Sequence, residues 1–191
     1  MRTAALFLRS RDVPAGTLLA VSAMAAVAWL GGGPAGSRHA VTAAALALAL
    51  GVAVLGHGLG GPDSTLDATA AIRWVPRRAL HLIVIGTVAV VVVTAVTTVP
   101  VAVVLRDAAG FTGLAGLAAT LFGRRLAWTL PVVTGCLAAG VPAVPDPFAL
   151  YLLTWAGQPA DSGTAATVGV VLAVAGGAAY VARGPRPGEP I

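Results

Sequence analysis

Long apolar runs with almost no charge inside them leave this chain few ways to fold in water. Of its 191 residues, 58% are hydrophobic and 10% are charged, whereas a soluble domain carries about 25% charged residues. Several runs approach the roughly 20 apolar residues that an α-helix needs to cross a bilayer. The sequence therefore predicts an all-α, polytopic membrane protein in which most side chains face lipid or one another.

Six apolar runs are bounded by Gly, Pro and Arg, and each is predicted to form one transmembrane helix. The predicted spans are residues 15–30, 40–59, 79–105, 108–122, 126–141 and 164–181. We interpret the pair Arg106-Asp107 as a minimal turn between the third and fourth spans. In the fourth span Gly110, Gly113 and Gly116 recur every three residues, which predicts a small-residue face on which another helix packs closely.

The placement of arginine orients these spans. All twelve basic residues are Arg, and they occur in small groups at the ends of apolar runs. With six spans, one side of the membrane receives Arg38 and Arg106. The side with both termini receives Arg2, Arg9, Arg11, Arg73, Arg77, Arg78, Arg124, Arg125, Arg183 and Arg186. Cytoplasmic loops are enriched in basic residues, so both termini are predicted to be cytoplasmic. The same grouping argues against nucleic acid as a partner.

One polar stretch, residues 56–79, interrupts the apolar sequence between the second and third spans. Its Ser-Thr-Leu-Asp sequence at 64–67 resembles a capping box with Asp in place of Glu. Asp63 and Asp67 suit the positive end of a helix that starts there, and Pro76 is expected to end it. We therefore predict a short cytoplasmic helix over residues 64–74. A well-capped loop that binds no partner is the alternative.

Two further segments are too short to cross the membrane. Residues 148–155 are apolar and aromatic but would extend only about 12 Å as a helix. We predict a re-entrant or interfacial helix on the outer side, with Tyr151 and Trp155 at headgroup depth. Residues 1–12 are predicted to be a cytoplasmic interfacial segment or a frayed tail. The six-helix transmembrane domain then covers 13–182, and a cytoplasmic tail covers 183–191.

The sequence contains few groups that could perform chemistry. His57, Asp63, Asp67 and His81 have spacings that fit no metal-ligand pattern, so no metal site is predicted. Motifs for a nucleophilic serine, a zinc protease or a phosphate-binding loop do not occur. The chain is therefore expected not to be an enzyme. The spans are also expected to hold no acidic residue away from their ends, which disfavours an ion-driven transporter.

This order of elements resembles that of the membrane subunits of ABC-2 type ABC exporters. Members of that family have six spans with both termini inside. They also have an N-terminal interfacial helix, a coupling helix between spans 2 and 3, and short helices between spans 5 and 6. Segments 1–11, 64–74 and 148–155 fall in those places. The pattern Pro-Asp-x-x-Leu-Asp-x-Thr-Ala-Ala-x-Arg at 62–73 looks like that of small permease-like proteins of actinobacteria.

The resemblance implies a mechanism that is divided among subunits. A separate ATP-binding subunit would bind the coupling helix and hold the ATP, so this chain would need no cofactor of its own. The residues expected to contact that subunit are Asp63, Leu66, Asp67 and Arg73. A second membrane subunit, either another copy or a related chain, would complete the translocation path in the plasma membrane.

The cargo and the alternative functions stay open at the level of the sequence. A path lined by small and apolar residues favours an apolar or amphipathic cargo, and its expected threonines are Thr94, Thr97 and Thr98. One alternative function is a non-catalytic membrane scaffold or assembly factor. Another is a membrane-embedded enzyme that uses His57, Asp63 and Asp67. A channel or secondary transporter is the remaining possibility.

Overall fold

The computed structural model describes residues 13–34, 36–56 and 74–186, and over these residues the fold is all-helical. The helices are α1 Val13–Leu30, α2 Arg38–Leu55, α3 Trp74–Val96, α4 Val101–Phe122, α5 Thr129–Gly140, α6 Phe148–Leu153 and α7 Gly163–Arg183. Single turns of 3₁₀ helix cover Arg124–Leu126 and Trp155–Gly157. The predicted all-α class is confirmed for this part of the chain.

Four of the helices, α2, α3, α4 and α7, are long and apolar enough to cross a membrane. Helix α1 also has 18 residues, but its described apolar part is the shorter stretch 20–30. Helix α5 has 12 residues, which gives about 18 Å against a hydrocarbon core of about 30 Å. The structure thus shows four candidate spans, and the count of six stays a prediction.

The break between the third and fourth predicted spans lies before Pro100, and the predicted turn at Arg106-Asp107 is wrong. Helix α3 ends at Val96, and α4 begins at Val101. Proline disfavours a helical conformation in the residue before it and is well placed at a helix start. Arg106 and Asp107 therefore lie inside α4, in its second turn.

The start of α3 also differs from the prediction. The helix begins at Trp74 rather than at residue 79, and Pro76 lies in its first turn. Proline is tolerated there because the first N–H groups of a helix have no partner in the helix. Pro76 therefore does not end a helix, as the sequence had indicated, but is part of the start of α3.

Helix α4 is the centre of the bundle, because it packs against α2, α3, α5 and, most extensively, α7. Its contact with α7 depends on glycine. A Cβ atom on Gly113 would overlap the carbonyl oxygen of Leu172, and one on Gly176 would overlap the carbonyl oxygen of Gly113. A Cβ atom on Gly116 would lie 3.1 Å from the carbonyl oxygen of Gly176, which is a tight contact. The predicted close packing of another helix on this small-residue face is confirmed at Gly113 and Gly116, whereas Gly110 faces the Trp155 ring.

The helix ends form two oppositely placed groups. At one end, the Arg78 guanidinium donates to the Val181 carbonyl oxygen (3.4 Å), and the Arg186 backbone N–H donates to the Ala119 oxygen (3.0 Å). These bonds join the start of α3 to the ends of α7 and α4. We name this the arginine end, and its described arginines are Arg77, Arg78, Arg124, Arg125, Arg183 and Arg186.

The opposite end contains the start of α2, the start of α4 and the connection from α5 to α7. A Cβ atom on Gly157 would lie 3.4 Å from the Thr42 side chain of α2 and 2.9 Å from the Ala138 carbonyl oxygen of α5. Arg38 and Arg106 belong to this end. The separation of described arginines agrees with the predicted sidedness, while the side of the membrane that each end faces stays a prediction.

Candidate functional site

All four predicted contact residues lie outside the described residues, as does the predicted cytoplasmic helix 64–74 apart from Trp74. This holds for Asp63, Leu66, Asp67 and Arg73, for His57, for segment 1–12 and for tail residues 187–191.

The three predicted path residues are described, at the end of α3. The Thr94 hydroxyl donates to the Val90 oxygen (2.7 Å) and the Thr97 hydroxyl to the Val93 oxygen (2.9 Å). Both hydroxyls therefore bond their own helix, and Thr98 is exposed. A role in a translocation path stays a prediction.

The most distinctive group in the described part of the chain is an ion pair buried in α4. The Arg106 Nε donates to Asp107 Oδ1 at 2.8 Å, and the two side chains are 8% and 1% exposed. A buried charge is costly unless it is paired and hydrogen-bonded. The positive charge of Arg106 and the negative charge of Asp107 cancel, and this pairing lowers the cost of burying both residues in an apolar helix.

The guanidinium of Arg106 also bonds the connection that precedes α7. One terminal nitrogen donates to the Pro159 carbonyl oxygen (3.1 Å) and the other to the Gln158 carbonyl oxygen (3.0 Å). The planar fork of donors in Arg suits this arrangement, in which one side chain serves several acceptors. Helix α4 is thereby fixed to residues 158–159, far along the chain.

Gln158 extends this network to α6 and α7. Its side chain is fully buried; the amide nitrogen donates to the Tyr151 carbonyl oxygen (2.6 Å) and the amide oxygen accepts from the Ser162 hydroxyl (2.6 Å). The Ser162 oxygen also accepts from the backbone N–H of Ala165 (3.2 Å), as an N-cap of α7. One chain of polar contacts thus joins α4, the end of α6 and the start of α7.

Trp155 lies in the interior of the bundle beside this network, and its position at headgroup depth stays a prediction. The side chain is 2% exposed, and its ring centroid lies 5.4 Å from that of Phe111. The ring occupies space that glycine provides, since a Cβ atom on Gly110 would overlap it and one on Gly169 would lie 3.4 Å away. Helix α6 ends at Leu153, and the following 3₁₀ turn carries the indole inward.

We name residues 154–159 the plug segment; the bundle encloses residues 154–158, whereas Pro159 is exposed. Thr154, Trp155, Ala156 and Gln158 are all buried, and the 3₁₀ turn contacts α2, α5 and α7. The predicted fold-back between the last two spans is consistent with this arrangement, and its depth in a membrane stays a prediction.

Asp107 is an acidic residue within a candidate span, in the second turn of α4, where the sequence had predicted a turn between two spans. Its Oδ2 atom is buried and has no hydrogen-bond partner among the described residues. Pro100 is the sequence signal that could have placed Asp107 inside a helix. A helix that begins after this proline has 22 residues and includes both Arg106 and Asp107. Such an oxygen is a free acceptor for a proton, a water molecule or a cation.

Comparison with known proteins gives no relative. No protein-family model, no curated protein and no solved structure matches this chain. Within residues 13–34, 36–56 and 74–186, no group of three or more His, Cys, Asp or Glu side chains is arranged to hold a metal ion. The buried polar network of Arg106, Asp107 and Gln158 is therefore the candidate functional site in the described part of the chain.

Proposed function

We propose that this chain is the membrane-spanning subunit of an ATP-driven exporter of the ABC-2 type. The observation that supports the proposal most is the location of the connection between α2 and α3, residues 57–73. Helix α2 starts opposite the arginine end and α3 starts at it, so this connection leaves from and returns to the arginine end. The predicted contact residues for an ATP-binding subunit, including Asp63 and Asp67, belong to this connection.

The packing of α4 provides a route by which force could cross the molecule. Helices α2 and α3, which flank the connection, both pack against α4. At the opposite end of the bundle, α4 is bonded through Arg106 to the plug segment. In the proposed mechanism, closure of the ATP-binding subunits displaces α2 and α3, and α4 transmits the displacement to the plug segment. Two membrane subunits, identical or related, then enclose the path.

Co-purification in mild detergent tests the proposal. We expect a tagged chain, expressed in its native host, to bring down an ATP-binding subunit. Asp67→Arg should reduce the recovered subunit, because it reverses a charge in the predicted contact. Asp161→Arg is the matched control, since this exposed residue lies at the opposite end. If no ATPase is recovered, or if both variants lose it equally, the proposal is rejected.

Vesicle transport separates this function from the scaffold and enzyme alternatives. An exporter subunit with its ATPase should move cargo in inside-out vesicles only when ATP is present. A scaffold or assembly factor would bind its partner but support no ATP-dependent transport. For an embedded enzyme that uses His57, Asp63 and Asp67 we expect product formation that replacement of all three residues abolishes.

Asp107 supports a second candidate function, that of an ion-coupled transporter. Acidic residues buried within membrane helices commonly carry the coupling proton or cation, and the Oδ2 atom of Asp107 is buried without a partner in the described residues. Uptake into proteoliposomes that is driven by an ion gradient, needs no ATP and is lost in Asp107→Asn would favour this candidate over the exporter.

A further inference from the structure

Charge is distributed very unequally between the two ends of the described bundle. The arginine end carries all described arginines except Arg38 and Arg106. The three described carboxylates, Asp107, Asp146 and Asp161, all lie at the opposite end. In the part of the chain that the structure describes, the arginine end is therefore purely cationic, and it attracts anionic ligands.

The cationic groups lie at the same end of the bundle, where the end of α7 and the residues after it contact both α3 and α4. Arg78 bonds the Val181 carbonyl oxygen at the end of α7. Three residues beyond α7, the Arg186 guanidinium donates to the Leu121 carbonyl oxygen near the end of α4 (3.3 Å). Both arginines thus bond the negative ends of helices, where cations are favoured. The exposed Arg183 is the last residue of α7, and the exposed Arg125 lies in the 3₁₀ turn that follows α4.

Exposed apolar and aromatic side chains lie beside these arginines. Leu80, Phe122 and Leu126 are 60%, 49% and 43% exposed. The guanidinium carbon of Arg77 lies 5.9 Å from the centroid of the Trp74 ring. An apolar surface of membrane-crossing helices that ends in Trp and Arg matches the level where acyl chains meet phosphates.

From this geometry we infer that the arginine end binds the headgroups of anionic phospholipids such as phosphatidylglycerol or cardiolipin. Lipid phosphate oxygens accept hydrogen bonds from the exposed Arg77, Arg125 and Arg183. The acyl chains of the same lipids lie against Leu80 and Phe122. A lipid fits better than an acidic protein surface, because it satisfies the cations and covers the adjoining apolar side chains together.

Native mass spectrometry of the full chain, with lipid added to the detergent-solubilised protein, measures this binding. We expect wild type to bind phosphatidylglycerol at least tenfold more tightly than phosphatidylcholine. Each of Arg77→Gln, Arg125→Gln and Arg183→Gln should weaken phosphatidylglycerol binding about fivefold, which is the effect of one arginine near an anionic surface. Arg38→Gln, an exposed arginine at the opposite end, is the matched control and should leave binding unchanged.

Several results would overturn the inference. Equal affinity for the two lipids would remove the preference for anionic headgroups, and an equal loss in Arg38→Gln would remove its location. Competition by soluble glycerol phosphate at the same concentration as the lipid would mean that phosphate alone is recognised. If the three variants lost a co-purified protein while lipid binding stayed at the wild-type value, the arginine end would be a protein contact instead.

Discussion

Arg106 joins parts of the chain that are far apart in sequence. Its guanidinium bonds the carboxylate of the next residue and two carbonyl oxygens that lie 52 and 53 residues further on. Arginine keeps its charge in proteins, so a buried arginine in an apolar helix needs a counter-charge and acceptors for its N–H groups. Asp107 provides the first, and the plug segment provides the second.

Removing the charge of Arg106 alone should destabilise the protein strongly. Arg106→Met retains much of the side-chain volume but leaves the Asp107 carboxylate buried without its cation, which costs about 3–5 kcal/mol. Unfolding in mixed micelles with increasing denaturing detergent measures the loss.

The double variant Arg106→Met/Asp107→Leu is the control for this prediction. It removes both charges, so it should be more stable than Arg106→Met although it carries one more substitution. The single variant Asp107→Leu completes the comparison. If the stability loss of the double variant equalled the sum of the losses in Arg106→Met and Asp107→Leu, the two side chains would not be coupled.

At the scale of the elements, the contact between α4 and α7 is the most extensive in the described bundle and depends on glycine at two facing positions. Backbone carbonyl oxygens of one helix occupy the space where the other would carry a Cβ atom, at Gly113 and at Gly176. Small residues at such crossings let membrane helices approach and gain dispersion energy, because lipid provides no hydrophobic driving force between them.

Gly113→Ala should therefore separate α4 from α7. The added methyl group meets the backbone of Leu172 and Ala173, which cannot rotate away as a side chain can. We expect a loss of about 1–3 kcal/mol in the free energy of unfolding. Gly177→Ala is the matched control on α7, because a Cβ atom there has no neighbour within 4 Å. Alanine is the better helix former, so this control should be unchanged or slightly stabilised.

The elements also show which features local sequence can and cannot predict. Apolar runs bounded by Gly and Pro located the helices, and the spacing of Gly110, Gly113 and Gly116 indicated the packing face. The ion pair was mistaken for a turn, because the carbonyl acceptors of Arg106 are far along the chain. The burial of Trp155 was not predicted, since the space that receives its ring is formed by Gly110 of α4 and Gly169 of α7, which are far apart in sequence.

At the scale of the whole molecule, charge and polarity divide the described residues into two ends with different roles. The arginine end is cationic and joins the starts and ends of α3, α4 and α7. The opposite end holds the plug segment and its neutral, hydrogen-bonded network. Basic residues remain on the cytoplasmic side during membrane insertion. The arginine end is therefore predicted to face the cytoplasm.

Cysteine labelling in intact cells tests this topology and the span count together. The lone Cys136 is first replaced by Ala, since it is exposed and would react. Single cysteines then replace Arg125, Asp161 or Arg183, all of them exposed. A membrane-impermeant maleimide should label position 161 in intact cells, and positions 125 and 183 only after the cells are opened.

The same labelling tests whether α5 crosses the membrane. Between positions 125 and 161 the chain contains α5 and α6, so these positions lie on opposite sides of the membrane only if one of the two helices crosses it. Because α6 has six residues, labelling of 125 and 161 from opposite sides would show that α5 crosses despite its short helix. Labelling of both positions from the same side would reduce the span count and contradict the predicted orientation of the C-terminal half.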